Sequence, residues 1–157
     1  MARTHSYEAT VVWTGDRGSG TSAYDAYDRD HEIRIDGKPA LLGSADPAYR
    51  GDPGRHNPED LLLAALASCH MLFFLAIAAT RDFVVDEYRD EAVGEMGKTA
   101  EGRMAMTRVV LRPTVRFAGG RLPAAEEFQA MHRLANEQCY IANSVRTEVV
   151  CEPIIER

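Results

Sequence analysis

Tyr7, Ala9, Val11 and Trp13 alternate with Glu8, Thr10, Val12 and Thr14, a period of two that predicts a strand with one face turned inward. Gly15-Asp-Arg-Gly-Ser-Gly then turns the chain, and Thr21 to Tyr27 is expected to pair back as a second strand. His31 to Ile35 runs into Asp36-Gly37, a tight hairpin signal, so the opening third reads as antiparallel β. From Leu41 to His56 the periodicity lapses. Pro47, Gly51, Pro53 and Gly54 fall in that stretch and predict a long loop, of the kind that often carries function.

The strongest pattern follows it. Leu61 to Ala79 is almost wholly apolar, and Asn57 before it is a good N-cap, with Pro58 at the first helical position and Glu59 and Asp60 at the positive helix end. A run of this length also fits a membrane span. The Ser68-Cys69-His70 centre, the many alanines and the absence of a Lys/Arg-rich flank instead predict a helix buried on all sides. A domain this small has little protein with which to surround such a helix, which points to a dimer. Phe83 to Gly97 and Arg103 to Phe117 are β-rich runs joined at Lys98-Thr-Ala-Glu-Gly, a long hairpin. Pro123 opens a second helix with Phe128, Met131, Ala135 and Gln138 or Cys139 on one side, and Glu148 to Ile155 is a closing strand. The expected class is α+β in the order β-β-β-α-β-β-α-β, one domain over residues 1–157 with antiparallel sheets around the central helix.

Composition narrows the function. A length of 157 residues with 45% hydrophobic content supports a real core. A net charge of -6 and scattered basic residues argue against nucleic-acid binding. Three cysteines at wide spacing make no secreted disulfide framework, and Met1-Ala-Arg-Thr-His-Ser-Tyr-Glu has no apolar signal region. The expectation is a cytoplasmic protein, not held in a membrane, in which any disulfide is transient.

Chemistry gathers at two cysteines seventy positions apart. Cys69 lies in Ala67-Ser-Cys on the apolar helix, after Asn57-Pro-Glu-Asp, and Cys139 opens Cys-Tyr-Ile-Ala-Asn-Ser-Val. With the early Arg17-Gly-Ser-Gly-Thr turn, these motifs resemble the OsmC/Ohr family of thiol peroxidases, over a span from Arg17 to Val145. The chain departs from that pattern at His70, where an aromatic residue is usual, and at Tyr140, where proline is usual. The resemblance implies an intertwined homodimer with two interfacial sites, a small-molecule peroxide substrate, an external dithiol reductant and no cofactor. It also implies that Cys69 attacks, Cys139 resolves through a Cys69–Cys139 disulfide, and Arg17 and Glu59 are the polar partners.

The residues themselves qualify these roles. Attack on an O–O bond needs a thiolate, and a free thiol with a pKa of about 8.5 is mostly protonated at neutral pH. Cys69, roughly three turns into an apolar helix, needs a cation, and Arg17 on a Gly-flanked turn is the candidate. Glu59 precedes Cys69 by ten residues on one helix, on the order of 15 Å along its axis. Either the helix breaks between them or the carboxylate comes from the partner chain. Leu72, Phe73, Phe74, Met104 and Met106 are the candidate lining of an apolar substrate pocket, though each alone reads as core. Taken singly, Cys69 reads as a buried structural thiol, Arg17 as a solvated turn residue and Glu59 as a helix-start acid. A metal reading with Cys69, His70, His132 and Cys139 is disfavoured, because adjacent helical residues point about 100° apart. No metal is expected. Cys151, in the last strand, reads as core, or as a substitute resolver. The competing function is a binding or sensing module of the same fold that holds an apolar ligand without peroxidase turnover.

Overall fold

The computed structural model describes residues 4–156, and the chain divides into two compact units, one ending at Leu61 and one starting at Leu62. In the first, β1 (Thr10–Trp13), β2 (His31–Arg34) and β3 (Leu41–Gly43) form one antiparallel sheet in that order. The Asp36-Gly37 turn between β2 and β3 is as expected, with Gly37 at φ 72 and Lys38 N–H donating to Ile35 O at 3.0 Å. Val12 is half-buried while Val11 and Trp13 stay exposed, so the partly covered face is the opposite of the one the alternation suggested.

Thr21 to Tyr27 is not a strand but a series of turns. Side chains take over the backbone groups there. Asp16 Oδ1 accepts from Gly18 and Gly20 N–H, and Arg29 lies over the Tyr24 and Tyr27 rings at 4.3 and 4.2 Å while donating to both carbonyls. The loop from Leu41 to His56 is shorter than expected. Its start is β3, and Pro47–Tyr49 is a 3-10 turn whose cap is Asp46. Buried Ser44 donates to Asp30 and receives Asp52 N–H, and Arg55 pairs with both acids at 3.2 and 3.4 Å.

α1 is one unbroken helix, Pro58–Thr80. Asn57 Oδ1 accepts from Asp60 N–H at 2.8 Å and Asp60 Oδ2 accepts from Asn57 N–H at 3.3 Å, a reciprocal capping box. Its fully buried positions, Leu66, His70, Phe74, Ile77 and Ala78, form a single stripe. Only 28% of its most apolar 18-residue window is buried, although the helix is long and apolar enough to cross a membrane.

In the second unit each predicted β run is two strands. β4 (Val84–Asp90) pairs with β7 (Pro113–Ala118), and β5 (Val93–Lys98) pairs with β6 (Met104–Leu111). The closing segment splits likewise into β8 (Glu148–Cys151), parallel to β6, and β9 (Ile154–Glu156), parallel to β7. Two three-stranded sheets result, β4-β7-β9 and β5-β6-β8. All three segments change sheet at one level. Asp90 Oδ1 accepts Arg112 N–H at 2.7 Å and Glu152 N–H donates to Leu111 O at 2.8 Å. Pro113 and Pro153 lie there and have no N–H to continue a ladder. α2 (Ala125–Gln138) buries Phe128, Met131, His132 and Ala135. Its aromatic face meets Phe74, Phe83, Val115 and Phe117, and a smaller core surrounds Leu66, Val109 and Leu111.

Candidate active site

Cys69 projects from the middle of α1 and Cys139 caps the C-terminus of α2. Their thiols are near enough for Cys69 to act on the Cys139 proton, and both are free. Cys69 is half-buried, whereas Cys139 is 1% exposed and accepts Ala142 N–H at 3.4 Å. Burial first, and the neighbouring Cys69 thiol second, push the Cys139 thiol up to about 11. Phe73 and Tyr140 meet at right angles with ring centroids 5.0 Å apart, and Tyr140 follows Cys139 as His70 follows Cys69.

Arg17 is exposed, donates to the Ala26 and Asp25 carbonyls and stands 3.7 Å from Asp28. Glu59, half-buried in the first turn of α1, lines a hollow with Trp13, Tyr27, Arg29 and Tyr49. The unbroken α1 removes the first of the two alternatives for its role, a helix break before Cys69.

The five apolar candidates do not gather into one pocket. Phe74 is fully enclosed in the aromatic core, against Phe128 and His132, because it lies on the buried stripe of α1. Leu72 and Met104 are 62% and 57% exposed, and Phe73 is half-buried. Met106 packs beside Leu66 and lines a cavity of about 500 Å³ with Leu62, Val145 and Thr147.

A second cluster joins residues that the sequence keeps far apart. His70 Nε2 and His132 Nδ1 are 2.9 Å apart with the rings parallel, and Cys151 Sγ lies 3.5 Å from the first nitrogen and 3.7 Å from the second. Both histidines are buried, at 0% and 2% exposure. Burial pulls His70 down to about 4, and burial with the His70 neighbour pulls His132 down to about 3, so both are neutral at pH 7. Burial and the nearby Asp90 and Glu152 push the Cys151 thiol up to about 12. That thiol is a poor nucleophile. The available signal was His132 itself, which falls four residues after Phe128 on the apolar face of α2, and Cys151 among the inward positions of the last strand.

The arrangement is a half-exposed thiol beside a buried one, in an α+β framework around an apolar helix. The model of OsmC-like proteins matches residues 51–153, well over half of the chain, and the protein belongs to that family. It is similar to an OsmC-like protein of unknown function from Vibrio cholerae, with 41% identity, a TM-score of 0.90 and coverage of 96% of this chain and 100% of that one. An organic hydroperoxide resistance protein from Elizabethkingia anophelis shares the fold at 17% identity and TM-score 0.67, covering 100% and 99% of the two chains. The organic hydroperoxide resistance protein OhrB of Bacillus subtilis does so at 18% identity and TM-score 0.61, covering 97% and 98%. Comparison with curated proteins gives no match.

Proposed function

We propose that this protein is a thiol-dependent peroxidase that reduces organic hydroperoxides, and that it works as a homodimer. The observation that carries the reading is the Cys69–Cys139 contact: two free thiols from distant segments, one reachable from solvent and one buried with its proton held. The Cys69 thiolate attacks the outer peroxide oxygen, the O–O bond breaks, and the alkoxide takes a proton from solvent and leaves as the alcohol. Cys69 is then a sulfenic acid. The Cys139 thiol displaces its hydroxyl as water and forms the Cys69–Cys139 disulfide, which keeps Cys69 from further oxidation. An external dithiol reduces that bond by exchange and returns both thiols.

Arg17 acts as the cation that favours the thiolate and the departing alkoxide, and Glu59 acts from the partner chain. The dimer is supported by α1, most of whose apolar surface a single chain leaves incompletely covered. Burial of that surface between two central helices is the economical arrangement. Leu72, Phe73, Met104 and Met106 serve the alkyl group of the substrate, whereas enclosed Phe74 supports the core beneath them. The test is consumption of cumene hydroperoxide with dithiothreitol as reductant. Wild type turns over, Cys69→Ser is inactive, and Cys139→Ser completes one turnover and then accumulates sulfinic acid at Cys69. A fully active Cys69→Ser protein would overturn the reading.

A further inference from the structure

We propose that His70, His132 and Cys151 form a site for one zinc-class divalent metal ion, separate from the thiol pair. Among the described residues this is the cluster of histidine, cysteine or carboxylate side chains whose ligand atoms all lie within 4.8 Å of one another. Its three members come from three elements, α1, α2 and β8, so the cluster is a product of the tertiary fold and not of one motif. Two imidazole nitrogens and a sulfur are the donor set that zinc favours.

The distances agree with a shared centre. Tetrahedral zinc at about 2.0–2.1 Å from nitrogen and about 2.3 Å from sulfur sets N···S separations of roughly 3.5–3.6 Å and an N···N separation of roughly 3.3 Å. The sulfur stands 3.5 and 3.7 Å from the two nitrogens, and the nitrogens are 2.9 Å apart. Opening the imidazole pair by about 0.4 Å completes the geometry.

Proton bookkeeping supplies the second observation. With no ion, one inner nitrogen carries a hydrogen and the other is its acceptor, so the N–H of one ring and the S–H of Cys151 compete for a single lone pair. The outer nitrogens, His70 Nδ1 and His132 Nε2, are buried with no hydrogen-bond partner in either tautomer. Tyr88 Oη and Asp90 Oδ2, whose charge acts on Cys151, are likewise buried without a partner. Such a concentration of unsatisfied polar atoms in an aromatic core calls for a cause. A bound ion removes the competition: both inner nitrogens turn bare lone pairs to it, the inner proton moves to an outer nitrogen, and the thiol proton leaves to solvent as Cys151 binds as thiolate. Three protein ligands leave a fourth position for water.

Cobalt(II), a coloured zinc surrogate, tests this. Reduced, chelator-treated protein is titrated with cobalt(II) both as folded and after refolding in its presence, which removes any barrier to entry into the core. The expected result is one cobalt per chain with a sulfur-to-metal charge-transfer band, bleached by zinc. Cys151→Ser loses the band, His132→Asn weakens binding by about tenfold or more, and a Cys69→Ser/Cys139→Ser protein keeps the band. Zinc also raises the Tm of wild type and not of Cys151→Ser, a readout independent of peroxidase activity. Absence of stoichiometric cobalt in both protocols overturns the site. So does a band that survives Cys151→Ser and disappears in Cys69→Ser/Cys139→Ser, since the metal is then on the redox pair.

Discussion

Acid should unfold this protein through His70 and His132 before its surface carboxylates matter. An ordinary imidazole titrates near 6.5. The folded pair titrates at about 4 and about 3, because burial disfavours the charged rings. Between those values and 6.5 the unfolded chain binds a proton at each histidine that the folded chain does not, so stability falls as pH falls. The contribution is present in full above the unfolded value and lost as pH drops towards the folded ones. At about 1.4 kcal/mol per pH unit for each ring, going from pH 7.5 to 5 removes roughly 2 kcal/mol per histidine and roughly 4 kcal/mol in total. That is a large share of a typical 5–15 kcal/mol stability. Asp90 works in the opposite sense, since burial raises its carboxyl and its neutral form favours the fold at low pH. The assay is therefore a difference. Urea denaturation is followed from pH 7.5 to 5 in chelator for wild type and for His132→Phe, a ring that keeps the stacking on Phe74. Subtracting the curves cancels Asp90, and the wild type should lose roughly 2 kcal/mol more than the variant over that range. Parallel curves would refute the claim that the rings are held neutral by burial.

Other perturbations probe the frame. Asn57→Ala removes the side-chain acceptor for Asp60 N–H and should lower stability by about 1 kcal/mol in urea denaturation, with Asn57→Ser recovering most of it. Leu66→Ala leaves a hole against Val109 and Leu111 and should cost about 2–5 kcal/mol by the same measurement. Gly51→Ala places a Cβ 1.6 Å from the Ala45 carbonyl oxygen, so the Ala45–Gly51 turn must rearrange, which proteolytic nicking within that loop should report.

Much of the frame could be read from local chemistry. The Asn57 cap and Pro58 place the start of α1 to the residue, and Asp36-Gly37 places the first hairpin, because those signals act within a few positions. The misreadings occur where distant groups decide. Thr21 to Tyr27 is the local exception: Arg29, two residues after Tyr27 and five after Tyr24, engages both carbonyls and rings, a side-chain geometry that strand composition does not reveal. Leu41 to Gly43 is too short to show a period and becomes β3 only by pairing with β2. The splitting of the long β runs depends on Asp90, Arg112 and Glu152 meeting across three segments, which no window contains. The same limit governs the chemistry. The motifs around Cys69 and Cys139 mark each of them, whereas the local sequence sets His70 beside Cys69 and gives no sign of Cys151, eighty-one positions away. Which face of a helix looks inward is a tertiary fact, and His70 turns to the buried stripe while Cys69 does not.

The central claim is that Cys69 and Cys139 exchange electrons with a peroxide as a pair, with Cys151 outside the cycle. Reduced protein is treated with one equivalent of cumene hydroperoxide, the remaining thiols are alkylated, and the peptides are mapped by mass spectrometry. The account predicts a Cys69–Cys139 disulfide with Cys151 alkylated. Three alkylated thiols after peroxide exposure, or a disulfide that includes Cys151 in place of Cys139, would contradict it.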